Sequence, residues 1–505
     1  MNKKLVEKVI VYFVVSLIVG SISCLWVSSH HFKLPPFGTK AYFHKLSWAM
    51  NHPDFLWIAI LSMGGAFLVC GVLFWLYYQQ APEVFGSHVR GSRVFNTAKL
   101  KRKTLNRKDR QIAVADTPIP LKLETLHFMI GGRTGTGKTV AIKEMLSKMI
   151  PRGDRIIVAD PNGDFLSHFY QKGDTILNPF DRRSPGWSIF NELNSVYDHE
   201  RFAKSVIPPS RSPNDAEWHG YAQLLLAETT KNLFANQCYT TKELTEWLTL
   251  KPAEELAEFL SGTAAAGLFD PGAVKALAST RFIIANYMAP HQYLKAGDFS
   301  LKEWLKNEKA GNLYITWRED MADALRPLIS TWLDILCTSI LSLPPSEKRR
   351  IWIIIDELAS LERLNSLEAA LTKGRKHGLR IITGLQSTAQ LDYLYGREKA
   401  ITLRSCFSNL LILGGTASDA QTAEDFSRGL GEQDLERIQS STSQSRRGRQ
   451  KTQVKQRVKE RIVLPSEITN LPTLTGYLSL AGDYPIAKIK LKPVSLPKRI
   501  SAFEE

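Results

Sequence analysis

Leu126-His127-Phe128-Met129-Ile130-Gly131-Gly132-Arg133-Thr134-Gly135-Thr136-Gly137-Lys138-Thr139 is the stretch on which the fold turns. Leu126 to Ile130 is a short apolar run of the kind that forms a buried strand. From Gly132 the sequence fits G-x-x-x-x-G-K-[ST], the phosphate-binding loop. Val140 to Ile150 then reads as a helix, and Pro151 is expected to end it. Strand, loop and helix in that order are the context that gives the motif its meaning. Glycines let successive backbone N–H groups curl around phosphate oxygens. Gly132, Arg133, Thr134, Gly135, Thr136, Gly137, Lys138 and Thr139 are therefore the candidate nucleotide-binding residues. Lys138 is expected to reach the β- and γ-phosphates, and the Thr139 hydroxyl to ligate Mg²⁺.

A second element must hold the metal and activate water. Ile351-Trp352-Ile353-Ile354-Ile355 is continuously apolar, as a strand buried on both faces should be, and Asp356-Glu357 closes it. An acid at the carboxyl end of such a strand lies at the ligand crevice. Asp356 is expected on the Mg²⁺ through water, and Glu357 on the attacking water. Arg380 to Gln386 reads as a neighbouring strand. Gln386 is either a sensor of the γ-phosphate, as in RecA-type motors, or a plain strand cap. Between the two strands, Arg375 lies in Lys373-Gly374-Arg375-Lys376-His377-Gly378. It is either the arginine that neutralises phosphoryl-transfer charge at a neighbouring subunit or part of an ordinary solvated loop.

Lys138 and Asp356 are roughly 220 residues apart, too far for consecutive elements of one nucleotide-binding sheet without an insertion of about one small domain. Arg155 to Ala159 and Thr175 to Leu177 continue the strand pattern, and Asn312 to Trp317 resumes it. Glu217 to Ala235, Thr241 to Leu250, Pro252 to Leu260 and Pro271 to Tyr287 have helical periodicity. The expected fold class is α/β, a P-loop nucleotide-binding domain interrupted by an all-α domain. The expected boundaries are 81–182 and 311–505 for the nucleotide-binding domain and 183–310 for the all-α domain. Further strands are expected at Asn409 to Gly414, Tyr477 to Ala481 and Ile486 to Leu491.

Residues 1–80 form a region of another kind. Val9 to Ser29 and Phe55 to Tyr78 carry no charged residue, and each reaches the ~20 apolar residues that a spanning helix needs. Lys3, Lys4 and Lys8 precede the first run, and nine basic residues from Arg90 to Arg110 follow the second. The positive-inside rule puts both termini in the cytoplasm and a short loop from His30 to Asp54 outside. His30, His31 and His44 are expected to be solvated in that loop rather than to hold a metal.

The 505 residues carry a formal net charge of +16, with 23% charged and 44% hydrophobic residues. That composition excludes wholesale disorder and points to an acidic partner. The five scattered cysteines include no CxxC pair, so no zinc ribbon or disulfide framework is supported. Arg90 to Arg110 faces either anionic lipid or DNA. Ser440 to Arg461 is polar and basic, with Arg446, Arg447, Arg449, Lys451, Lys455, Arg457, Lys459 and Arg461 against Glu460. It is expected to be a mobile or edge segment, there for solubility or for phosphate backbones.

These residues together resemble the type IV coupling proteins of conjugation, the TraD/TrwB-like membrane ATPases. The resemblance runs through Asp160-Pro161-Asn162-Gly163-Asp164, Leu177-Asn178-Pro179-Phe180-Asp181, Asp356-Glu357 and Gly374-Arg375-Lys376-His377-Gly378 leading to Gln386-Ser387. It implies a RecA-like domain, ATP and Mg²⁺ as cofactors, and a homo-hexameric ring with ATP between subunits. It also implies single- and double-stranded DNA bound without regard to sequence. Relaxase and relaxosome proteins, membrane lipids and the inner-membrane components of a type IV secretion channel are the further partners implied. Arg375 falls at the family's trans-acting arginine finger. The length is similar to that of the compact members, without a long acidic C-terminal tail. A double-stranded DNA pump of the chromosome-partitioning type and a non-motor substrate receptor are the alternatives.

Overall fold

The computed structural model describes residues 3–80, 87–210, 212–415, 418–445 and 448–505, and Arg446 and Arg447 of the basic run lie outside them. The chain divides into two units, residues 1–87 with 436–456 and residues 88–435 with 457–505.

In the first unit, helices Lys3–His31 and Pro53–Gln80 pack side by side. Tyr12 Oη donates to Phe67 O at 2.8 Å, and a Cβ on Gly20 would collide with Met63. Both helices are long and apolar enough to cross a membrane. The segment between them is not a simple solvated loop. Thr39 caps a helix over Lys40–Met50, and His30 and His31 belong to the last turn of the first helix. His31 and His52 both approach Asp54, at 3.5 and 3.4 Å. Among the described residues no three metal-ligating side chains gather.

Of the two expectations for the basic segment, mobile or edge, the structure gives the edge, paired along one side. Strands Glu432–Ser445 and Gly448–Arg461 form a ribbon in a three-stranded sheet with Ser87–Gly91, in which Glu432–Ser445 is central and Gly448–Arg461 is an edge. A ribbon satisfies its backbone across strands and so needs no apolar core. The acids that balance its basic residues lie upstream of the stretch that looked unbalanced. Arg461 meets Glu432 at 3.1 Å, and Lys455 meets Glu436 at 3.6 Å.

The second unit is built on a ten-stranded sheet. Its strands are numbered here in chain order: β1 Val94–Asn96, β2 Phe128–Gly131, β3 Arg155–Pro161, β4 Thr175–Leu177, β5 Leu313–Trp317, β6 Ile351–Ile355, β7 Leu379–Leu385, β8 Asn409–Leu413, β9 Thr475–Ser479 and β10 Ile486–Lys490. The spatial order is β1-β10-β9-β8-β2-β7-β6-β3-β5-β4. From β8 to β4 every pairing is parallel, and β9 is antiparallel to both β8 and β10. Alternate residues of β6 enter different cores. Ile351, Ile353 and Ile355 pack in one, and Trp352 and Ile354 in the other. A strand buried on both faces must be apolar throughout, and its sequence is. Because the central strands are parallel, the loops at their carboxyl ends gather on one edge.

Between β4 and β5 the regular elements among the described residues are helices, including Val196–Val206, Ala216–Ala235, Ala253–Phe259, Val274–Met288 and Leu301–Lys306. Thr241–Thr245 runs on as a π-helical turn, Glu246–Leu250. Buried Glu192 ties the entry of this insertion to its exit. It accepts from Trp187 Nε1 at 2.9 Å on one side and from Leu301 N at 2.6 Å and Ser300 Oγ at 3.1 Å on the other. Helix Ala322–Leu341 lies in a third stretch apolar enough to cross a membrane, but 72% of that stretch is buried in the second unit. It is core.

Candidate nucleotide site

The loop after β2 is held from three sides. Gly132 N donates to Leu385 O at the end of β7, Arg133 N to Gly414 O just past β8, and Leu474 N to Thr136 O. Gly137 adopts φ +114°, which a side chain would strain, and a Cβ there would strike Leu474. Helix Lys138–Arg152 starts directly from it, so its free N–H groups open toward the loop. Pro151 lies inside the last turn rather than ending the helix, which closes at Gly153 with φ +80°.

Lys138 is buried, and its Nζ donates to Gly132 O at 2.8 Å. Burial lowers its pKa, against the nearby charges of Glu357 and Asp356. Thr139 Oγ1 donates to Asp356 Oδ2 at 3.1 Å, and Thr134 Oγ1 donates to Gln386 Oε1 at 3.2 Å. The carboxyl ends of β2, β6 and β7 thus bring Lys138, Thr139, Asp356, Glu357 and Gln386 to one place.

The two acids there are incompletely partnered. Asp356 Oδ1 and both Glu357 carboxylate oxygens are buried, and none receives a hydrogen bond of good geometry. Burial raises the pKa of each. The Thr139 hydroxyl is the main opposing influence on Asp356. On Glu357 it is the Lys138 charge, with the neighbouring Gln386 amide a lesser one. A buried carboxylate with an open lone pair beside a threonine hydroxyl is a donor set that suits a hard cation with a water. Asp160, at the end of β3, differs. It caps the next helix by accepting from Phe165 N at 3.2 Å and Leu166 N at 2.7 Å, yet complete burial pushes its pKa up to about 7.

Arg375 is not part of this constellation. It is exposed on the turn Gly374–His377, just before β7, whose other end carries Gln386. Seven strand residues at ~3.3 Å each put it roughly 20 Å from its own loop. The segment near 500 gave no signal in the sequence, yet it packs at the carboxyl edge of the sheet. Ala502 closes over Gly163, Arg182 N donates to Glu504 O, and Arg183 and Arg318 pair with Glu504 and Glu505.

Residues 111–492 match the family described as the type IV secretion-system coupling protein DNA-binding domain. A solved structure of the bacterial conjugative coupling protein TrwBΔN70, unbound, is 47% identical with a TM-score of 0.79, covering 84% of this chain and 98% of that one. The plasmid coupling protein TrwB in complex with ADP and Mg²⁺ is 46% identical with a TM-score of 0.79, covering 84% and 99%. The coupling protein TraD of Escherichia coli (strain K12) is 28% identical over 475 residues. That match takes in 89% of this chain and spans 65% of the length of TraD. The fold shared with these structures is a RecA-like P-loop domain with an all-α domain.

Proposed function

The chain belongs to the type IV secretion-system coupling proteins, and from that premise we propose that it is an inner-membrane, DNA-dependent ATPase. In this reading it couples a relaxase–DNA complex to a type IV secretion channel and drives transfer of single-stranded DNA. The observation that carries the reading is the joining of the Gly132–Thr139 loop to Asp356 and Gln386 by direct side-chain hydrogen bonds.

The loop amides of Gly132 to Thr139 cradle the phosphates of ATP. Lys138 exchanges its bond to Gly132 O for the β- and γ-oxygens. Thr139 and Asp356 would hold Mg²⁺, which when bound neutralises phosphate charge and fixes the γ-phosphate for in-line attack. Glu357, buried beside Lys138 with both oxygens open, polarises the attacking water. Gln386 reports the γ-phosphate to β7. Arg375, roughly 20 Å from its own loop by the length of β7, acts on the adjacent subunit's nucleotide. That assignment calls for a ring, here a homo-hexamer. Helices Lys3–His31 and Pro53–Gln80 anchor the ring as two spans with both termini cytoplasmic, and DNA is gripped through phosphates rather than bases.

ATP turnover by the full chain, titrated with single- and double-stranded DNA, tests the proposal. Turnover should rise with DNA and vanish in Lys138→Ala. Turnover indifferent to DNA would favour a substrate receptor over a motor, and turnover surviving in Lys138→Ala would refute the site.

A further inference from the structure

The opposite, amino edge of the sheet holds a cavity of about 490 Å³, walled by residues 152–155, 305, 306, 308, 343, 344, 346 and 348–351. Its lining is rich in cations, and among the described residues three of them have no carboxylate at ion-pair distance. Arg152 and Asp154 satisfy each other and drop out, and Lys306 is paired with Glu303 at 2.8 Å. Arg155, Lys348 and Arg349 remain, against Glu308, with Arg350 at the limit of ion-pair distance from the already paired Asp154.

Arg155 gives its Nη atoms to the carbonyls of Leu305, Trp304 and Asn307, and its Nε is buried without a partner. It lies over the Trp304 ring at 4.1 Å, and burial lowers its pKa to about 10 against the charge of Glu308. Arg349 is held by the carbonyls of Pro344 and His377, at 2.7 and 3.4 Å. Arg350 is 3.8 Å from Asp154 Oδ1, which is already in the Arg152 pair. Among the described residues neither Arg155, Lys348 nor Arg349 has a carboxylate at ion-pair distance. Carbonyls orient a guanidinium without cancelling its charge. A concave wall of such groups focuses positive potential, and the planar fork of arginine matches a phosphate.

We propose that this cavity is a second phosphate site, which takes the pyrophosphate part of a nucleotide, either free or held by an adjacent copy of this chain. The second source is suggested by the wall that the cavity shares with the Arg375 turn, where Ser346 N donates to Lys376 O at 2.9 Å. The inference rests on the reading of Gly132–Thr139 as the first phosphate site.

The test uses the full chain in lipid nanodiscs. In Lys138→Ala, pyrophosphate titrated calorimetrically should still saturate about one site per chain. Adding Lys348→Glu, an exposed position with no ion pair among the described residues, should weaken that binding by about 10- to 100-fold, as expected for loss of a charged hydrogen bond. Arg350→Gln should weaken it less, and unfolding curves would confirm that both variants fold. Saturation in Lys138→Ala alone assigns the anion to solution. If instead Lys348→Glu weakens only a non-hydrolysable ATP analogue held by intact neighbours in assembled chains, the source is the adjacent copy. If Lys138→Ala binds no pyrophosphate and Lys348→Glu alters neither measurement, the cavity is no phosphate site, while nucleotide binding by the unaltered chain would leave the first site standing. If the unaltered chain also binds no nucleotide, it is that first reading which fails.

Discussion

At the amino edge of the sheet, Glu124 and Asp154 are buried and every carboxylate oxygen is met. Arg152 reaches both acids, Arg380 Nε donates to Glu124 at 3.2 Å, and Trp352 Nε1 donates to Asp154 at 2.7 Å. At the carboxyl edge, Asp356 and Glu357 are also largely out of water, yet three of their four oxygens receive no hydrogen bond of good geometry. Closed buried networks hold a fold together, whereas open ones store a cost that a ligand can relieve. The closed Glu124 and Asp154 network therefore stabilises the sheet while the open Asp356 and Glu357 pair works, so mutations of these two groups of acids should differ in kind.

The largest effect is expected at Arg375. Arg375→Ala should lower DNA-stimulated turnover by ~10³–10⁵ with the fold unchanged. Mixed with Lys138→Ala in one ring it should regain some activity, because some interfaces then hold an intact residue of each kind. No recovery in rings shown to be mixed would place Arg375 in its own subunit's site or require every site to fire together.

Glu357→Gln should cut turnover by ~10²–10⁴ while nucleotide still binds. It should also raise stability by about 1 kcal/mol, since it removes a charge that burial disfavours. A less stable Glu357→Gln would mean that the carboxylate is structural, and the contrast between the edges would collapse.

Glu124→Ala should do the reverse. Leaving Arg152 and Arg380 without that partner should cost about 3–5 kcal/mol, read as a lower unfolding temperature. Nucleotide affinity per folded chain should stay the same.

The last effect concerns pH. Without nucleotide or metal, Asp160 keeps its proton up to about pH 7 when folded, but releases it near the usual 3.8 when unfolded. Between those values the folded state binds the extra proton, so stability should fall as pH rises from about 4 to 7 and level off above. Asp160→Asn should remove that part of the slope. An unchanged difference between the two profiles would mean that Asp160 is ionised in the fold.

The carboxyl edge was legible in the sequence because its signals are local. A glycine-rich loop joins a strand to a helix, and a run of five apolar residues ends in Asp356-Glu357. The apolar helices were separable for a similar reason. Val9 to Ser29 and Phe55 to Tyr78 carry no charge, while the stretch Glu319–Leu341 contains Asp320, Asp323, Arg326 and Asp334, and Asp334 is buried among hydrogen bonds from Ser205 and Ser366. The closed network was not legible, since Glu124, Arg152, Asp154 and Arg380 meet only when distant segments fold together. For Ser440 to Arg461 the edge position was legible but the partner strand was not, because composition reports the lack of a core but not a cross-strand partner. The contacts of Ala502 and Glu504 are invisible locally, because residues more than 300 positions away supply them.

The claim that Asp356 stays open in order to hold a cation can be met head-on with Mn²⁺ in place of Mg²⁺. Electron paramagnetic resonance of the full chain with ADP should show one nucleotide-dependent Mn²⁺ per chain. In Asp356→Asn that signal should weaken at least about tenfold in affinity while ADP still binds to the loop. Mn²⁺ affinity unchanged in Asp356→Asn would contradict the account, because the open oxygen at the carboxyl edge would then have no ligand to explain it.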